Sequence, residues 1–94
     1  MHQEFIRVEM PANYCLADAA WIQEKLQKLP PSLRRKVAQI YAEEYEKAFH
    51  AEQVSYRQEN AGRHEANTRL RLFVKGHGRA LQGYTTEPPL AKTR

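Results

Sequence analysis

Ninety-four residues, 41% of them apolar and 28% charged, allow one small domain, and no apolar run approaches the roughly 18 residues that a membrane span requires. The net charge of +4 is unevenly placed: residues 1–53 hold seven Lys/Arg against eight Asp/Glu, and residues 54–94 hold eight against three. Cys15 is the only cysteine, which excludes an internal disulfide and makes a reducing cytoplasm the expected compartment.

The N-terminal segment MHQEFIRVEM is mixed in charge rather than basic and then greasy, so it is not expected to act as a secretory signal. Glu4–Glu9 has the composition of a short strand, but no second strand candidate could pair its backbone, so residues 1–11 read as an irregular arm ended by Pro11. A first helix is expected from Asp18, a good N-cap, to Gln27. Ile22, Leu26 and Leu29 recur on it at helical spacing, and Trp21 closes one edge of that stripe.

Pro30-Pro31 breaks the chain: the first proline disfavours helix at Leu29, and the second suits a first helical position, where no N–H is needed. The second helix should run from Pro31 to Gln53, with Leu33, Val37, Ile40, Tyr41, Tyr45, Ala48 and Phe49 on its apolar face. Arg34, Arg35, Glu43, Glu46 and Lys47 form the solvated side. Ser55-Tyr56-Arg57-Gln58 has the form of a capping box, which places the start of a third helix at Ser55. Gly76 is the expected terminator after Lys75, although Gly62 weakens that helix internally. Ala66, Leu70, Phe73 and Val74 supply its buried side. Residues 76–94, with their Gly and Pro clusters and no apolar period, read as a flexible tail.

The expected fold is therefore all-α: a small three-helix bundle over residues 12–75, with a core of Ile22, Leu26, Leu33, Val37, Ile40, Tyr45, Phe49, Leu70 and Phe73. No catalytic constellation accompanies it. Tyr41 and Tyr45 lie one turn apart, as in nucleophile pairs that attack a DNA phosphate, but that chemistry needs a metal to stabilise the leaving group. His2, His50, His64 and His77 are scattered and lack metal-ligand spacing, so the tyrosines read as core packing and no metal or other cofactor is expected. Lys75-Gly76-His77-Gly78 lacks the preceding strand and the Lys-Ser/Thr ending of a nucleotide loop.

The arginines carry the stronger signal. Arg57, Arg63, Arg69, Arg71 and Lys75 are spread along the third helix, where guanidinium groups suit phosphate contacts. Asn67, with Thr68 and Arg71, would reach base edges if this helix entered a groove, as in a helix-turn-helix variant. Glu59 and Glu65 on the same segment favour the plainer view of a solvated face.

The order LPPSLRRKVAQIYAEEYEKAF, a polar break and then EANTRLR resembles a helical segment of gene A-type replication proteins of temperate tailed phages. The likeness covers residues 26–72 and rests on Leu29, Pro30, Leu33, Arg34, Tyr41, Ala66, Asn67, Thr68, Leu70 and Arg71. It implies a phage or prophage origin and work beside DNA replication. It does not imply nicking, because the metal-binding histidine cluster of that family has no counterpart here. The functional expectation is a non-enzymatic accessory protein that binds DNA or a replication complex through its basic third helix. The alternative is a protein-interaction module or small regulator, as a homodimer if the long second helix keeps an uncovered apolar strip.

Overall fold

The computed structural model describes residues 9–81, the last three by backbone alone, and these residues form an all-α, three-helix bundle. Helix α1 spans Ala19–Gln27, α2 Pro31–Ala51 and α3 Gln58–Leu81, with single 3-10 turns at Leu16–Asp18 and Ser55–Arg57. The strand-like Glu4–Val8 and the tail residues 82–94 lie outside the described residues. Most of the packing joins α2 and α3, and α1 lies against both. No helix among the described residues is long and apolar enough to cross a membrane.

The Pro30-Pro31 corner forms as its chemistry dictates. Pro30 takes an extended N-cap conformation and Pro31 opens α2. The corner is held by Arg34, whose Nε–H is shared between the carbonyls of Leu26 at 3.1 Å and Leu29 at 2.9 Å, while Nη2 reaches the carbonyl of Gln27 at 3.2 Å. The Leu26 carbonyl also accepts the Leu29 N–H at 3.0 Å, so the guanidinium adds a second donor there and supplies one to the Gln27 and Leu29 carbonyls. A cation is favoured at that end of the helix dipole. An arginine assigned to the solvated side is thus a C-terminal cap for the preceding helix.

Helix α1 keeps its expected bounds, but its cap and three other boundaries differ from the sequence expectation, each for a physical reason. Asp18 stands at the N-cap position of α1 but makes no capping hydrogen bond, because its carboxylate is taken by α3. Helix α2 stops at Ala51, and Glu52 turns extended. The Ser55 capping box does not form: Ser55 belongs to the 3-10 turn and its hydroxyl caps nothing. Glu52 organises the connection instead, with Oε2 accepting from the Val54 N–H and its carbonyl accepting from Gln58 Nε2, both at 3.1 Å. Helix α3 does not end at Gly76 but runs to Leu81, so the expected tail begins as helix. Neither Gly76 nor Gly78 adopts the left-handed conformation that terminates a helix. Half-buried Phe73, Val74 and His77 keep this last section on the bundle, which offsets the propensity cost of two glycines.

The core contains Ile22, Leu26, Leu29, Val37, Ala38, Tyr41, Tyr45, Ala66 and Leu70, with Trp21, Phe49 and Phe73 partly buried against it. Leu33, expected inside, is 40% exposed, and Ile40 is only half-buried. Tyr41 takes the central place, at 1% exposure. The last residues of the expected arm are not free: Met10 packs on the core, Pro11 is buried, and Glu9 pairs with Arg35 at 3.1 Å. Gly62 is required where α2 and α3 meet. A Cβ there would stand 3.0 Å from the Tyr45 carbonyl oxygen and 3.1 Å from its ring.

Candidate nucleic-acid interface

The six α3-region residues singled out in the sequence divide into two groups in the structure. Arg63 and Asn67 turn inward. Arg63 grips the Asp18 carboxylate through Nε at 2.9 Å and Nη2 at 3.0 Å, and Asn67 Nδ2 donates to the same carboxylate at 3.1 Å. Asn67 Oδ1 accepts the hydroxyl of Tyr41. The amide orientation follows from chemistry, since a carboxylate only accepts and must face the NH₂, which leaves the amide oxygen for the phenol. One polar cluster thereby ties the entry of α1 to α2 and α3.

The electrostatics of the cluster match its geometry. The Arg63 hydrogen bonds hold the Asp18 carboxyl below its ordinary value against the opposing effect of burial, and the Asn67 bond lowers it further. Arg63 is correspondingly pushed up by the same carboxylate. Burial raises the Tyr41 phenol well above its ordinary range, and the Asp18 charge adds to the shift. Tyr45 is also raised, chiefly by burial. Both phenols are therefore held protonated, the reverse of what a phosphate-attacking nucleophile needs. The pair is core: Tyr45 packs on Phe49 with ring centroids 6.2 Å apart, and Tyr41 holds Asn67.

Arg57, Arg69, Arg71 and Lys75 are exposed. Arg69 leans toward α2, with Nη2 3.4 Å from Glu44 Oε1. Arg57 lies over the exposed ring of Tyr56 at 5.6 Å. Arg71 and Lys75 lie one turn apart on the outward side of α3, in line with His64 two turns earlier. Arg71 reaches back to α1, where its guanidinium carbon is 5.8 Å from the centre of the Trp21 ring, and Lys25 Nζ is 5.7 Å from the same centre. Such distances suit cation–π attraction. Lys28 continues the cationic side of α1, with Glu24 the one carboxylate beside it on that helix.

Among the described residues, no carboxylate lies within 4.0 Å of the cationic groups of Lys25, Lys28, Arg57, Arg71 or Lys75. The rim where α1 meets α3 is thus, among the described residues, cationic, without a contacting carboxylate, and built around an indole. The sequence expectation named the cations of its α3 half but not Trp21 or Lys25. Their i, i+4 spacing puts them on one face of α1, but nothing along the chain announces that Arg71 joins them.

The other side of the molecule carries a different feature. Leu29, Leu33, Val37, Ile40, Phe73 and His77 line an open, mainly apolar cleft of about 400 Å³ between the first half of α2 and the last turns of α3. His50 lies 3.8 Å from Glu46 on its own helix, whereas His64 faces a separate surface hollow beside Glu65. The described residues contain no group of three metal-ligating side chains.

Several residues of the Leu-Pro and Ala-Asn-Thr motifs singled out in the sequence are architectural. Arg34 caps α1, Tyr41 bonds Asn67, and Leu29, Ala66 and Leu70 are buried. Arg71 is the cation of that set on the α1–α3 rim. Searches of protein-family models, curated proteins and solved structures found no match to this chain.

Proposed function

We propose that this chain is a non-enzymatic nucleic-acid-binding module whose contact surface is the α1–α3 rim, with Lys25, Lys28, Arg71 and Lys75 as phosphate partners and Arg57 as an outlying one. The observation that carries the reading is the pair of cations over Trp21, Lys25 and Arg71, neither within 4.0 Å of a carboxylate among the described residues. Guanidinium and ammonium groups held at a surface without partner carboxylates are what a polyanion replaces counterions on. Arg63 and Asn67 act indirectly, by fixing the register of α1 on α3 so that Trp21 and Arg71 meet. The likeness of residues 26–72 to gene A-type phage replication proteins supports setting this binding beside phage or prophage DNA replication, in the cytoplasm of the host.

The test is fluorescence anisotropy of labelled single- and double-stranded DNA at two salt concentrations. With four phosphate contacts, affinity should fall roughly 50- to 150-fold between 50 and 200 mM salt. Arg71→Ala and Lys75→Ala should each weaken binding and flatten the salt dependence. Arg69→Ala should do less, because Glu44 already faces that guanidinium. Absence of binding at low salt would refute the proposal.

A second reading follows from the apolar cleft, whose Leu33 is 40% exposed although its position on α2 is that of a core residue. An apolar strip that the described residues leave open suits a protein partner or a second copy of the chain. Sedimentation equilibrium decides the homodimer form: a dimer converted to monomer by Leu33→Ser supports it, and a monomer at all concentrations refutes it.

A further inference from the structure

We infer that the nucleic acid bound at this rim is single-stranded and that one of its bases stacks on Trp21. The inference rests on the nucleic-acid reading above and deepens it. Trp21 is only partly buried: it packs on the core cluster yet keeps part of its surface at the rim. The two groups over its ring are the tips of long side chains, Lys25 from the next turn of α1 and Arg71 from α3. Exposed cation–π contacts are weak, so both tips swing aside without disturbing either helix.

What they leave is an aromatic platform with a cation on each supporting helix. An unpaired nucleotide meets all three parts at once: its base lies on the indole, while its flanking phosphates meet Lys25 and Arg71. Lys28 and Lys75 extend the cationic track along the two helices. In a duplex the base faces are stacked on one another and only their edges are accessible, so the indole would gain nothing there. Base–aromatic stacking is tolerant of sequence because every base has a π-face, so the site should bind many sequences comparably.

Trp21 is the only tryptophan in the chain, so its emission reports on this site alone. The experiment titrates the full chain with an oligothymidylate of about 16 nucleotides, a hairpin duplex of equal phosphate count and inorganic polyphosphate. Trp21 emission is followed beside the anisotropy of a labelled oligonucleotide.

The expected result is saturable quenching by oligothymidylate and none by polyphosphate, which supplies charge without bases. The duplex should bind about tenfold more weakly than the single strand. Trp21→Leu should cost about tenfold in single-strand affinity with an unchanged circular-dichroism spectrum. Lys25→Gln, a surface change that cannot unfold the core, should weaken binding while leaving quenching at saturation. Oligothymidylate that binds without changing Trp21 emission would overturn the stacking, as would a folded Trp21→Leu that binds like the parent. The nucleic-acid reading would survive both results. Failure of every polyanion to bind at low salt overturns that reading and this inference with it. If Trp21→Leu does not fold, the quenching contrast in the parent chain still decides.

Discussion

Replacing Tyr41 with Phe isolates the polar cluster from the packing around it. The ring is 1% exposed, and Phe keeps all of its apolar contacts, so the perturbation is the loss of one hydroxyl. A hydrogen bond of this kind contributes about 1 kcal/mol net, and a buried acceptor left without its donor adds about 1 kcal/mol or more. Asn67, whose Oδ1 would lose its donor, is half-buried and regains part of that from water, which puts the total near 1.5 kcal/mol. For a domain of this size each kcal/mol moves Tm by about 4–8 °C, so Tyr41→Phe should melt roughly 6–12 °C lower.

The assay is thermal and urea unfolding of the parent, Tyr41→Phe, Asn67→Ala and the double variant. The two single changes share one bond, so the double variant should be more stable than additivity requires, by about 1 kcal/mol. A Tm within 2 °C of the parent, or strict additivity, would refute the argument and reduce the Tyr41–Asn67 contact to a geometric coincidence.

Three further outcomes follow. Asp18 has a folded-state pKa below its unfolded value, so its contribution to stability is full above the ordinary carboxylate pKa near 4 and is lost as pH falls through the folded value. Asp18→Asn should therefore be less stable than the parent at pH 7 in urea melts, and the gap should narrow at pH 3. An equal gap at both pH values would contradict this. Two glycines of one helix should respond oppositely to alanine: Gly76→Ala meets nothing within 4 Å and should stabilise by up to about 1 kcal/mol, whereas Gly62→Ala collides with Tyr45 and should lower Tm despite the same propensity gain. Arg34→Ala removes the side-chain donor to the Gln27 and Leu29 carbonyls and the second donor to the Leu26 carbonyl, and should cost about 1–2 kcal/mol. Arg34→Lys should recover only part of it because an ammonium lacks the planar fork. Denaturant unfolding reads both sets directly.

Much of the fold is legible along the chain because helical periodicity is local. Ile22, Leu26 and Leu29 mark one face, Pro30-Pro31 marks the corner, and Val37, Tyr41 and Tyr45 mark another face. The misjudged features are those decided by partners far along the chain. Asp18 has the composition of an N-cap, but Arg63 and Asn67 outcompete the backbone for its carboxylate, and they lie 45 and 49 residues away. Gly76 has the composition of a terminator, but contacts of the α3 end with α2 carry the helix past it. Leu33 fits the core pattern, yet the bundle has no element to cover it among the described residues.

The candidate site shows the same division. Its α3 cations are visible as an excess of Arg and Lys after residue 54, whereas Lys25 and Lys28 lie in the charge-balanced half. The sorting of the α3 set into inward and outward groups depends on the angle each takes around that helix. Arg63 and Asn67 fall on the edge that α1 covers. Arg71 sits one turn beyond Asn67, far enough round to clear that edge and reach Trp21.

The Asp18–Arg63 pair also bears on the order in which the molecule assembles. The α2–α3 hairpin and the Arg34 corner close short stretches of chain, whereas Asp18 meets Arg63 only after 45 residues have been brought round. Loop-closure entropy delays such a pairing, so α1 should dock onto a hairpin that has already formed. Stopped-flow kinetics should then show Asp18→Asn accelerating unfolding while leaving the refolding rate almost untouched. The cluster that sets the geometry of the rim would act as a latch on an assembled bundle, and the lifetime of the rim would be the lifetime of that latch.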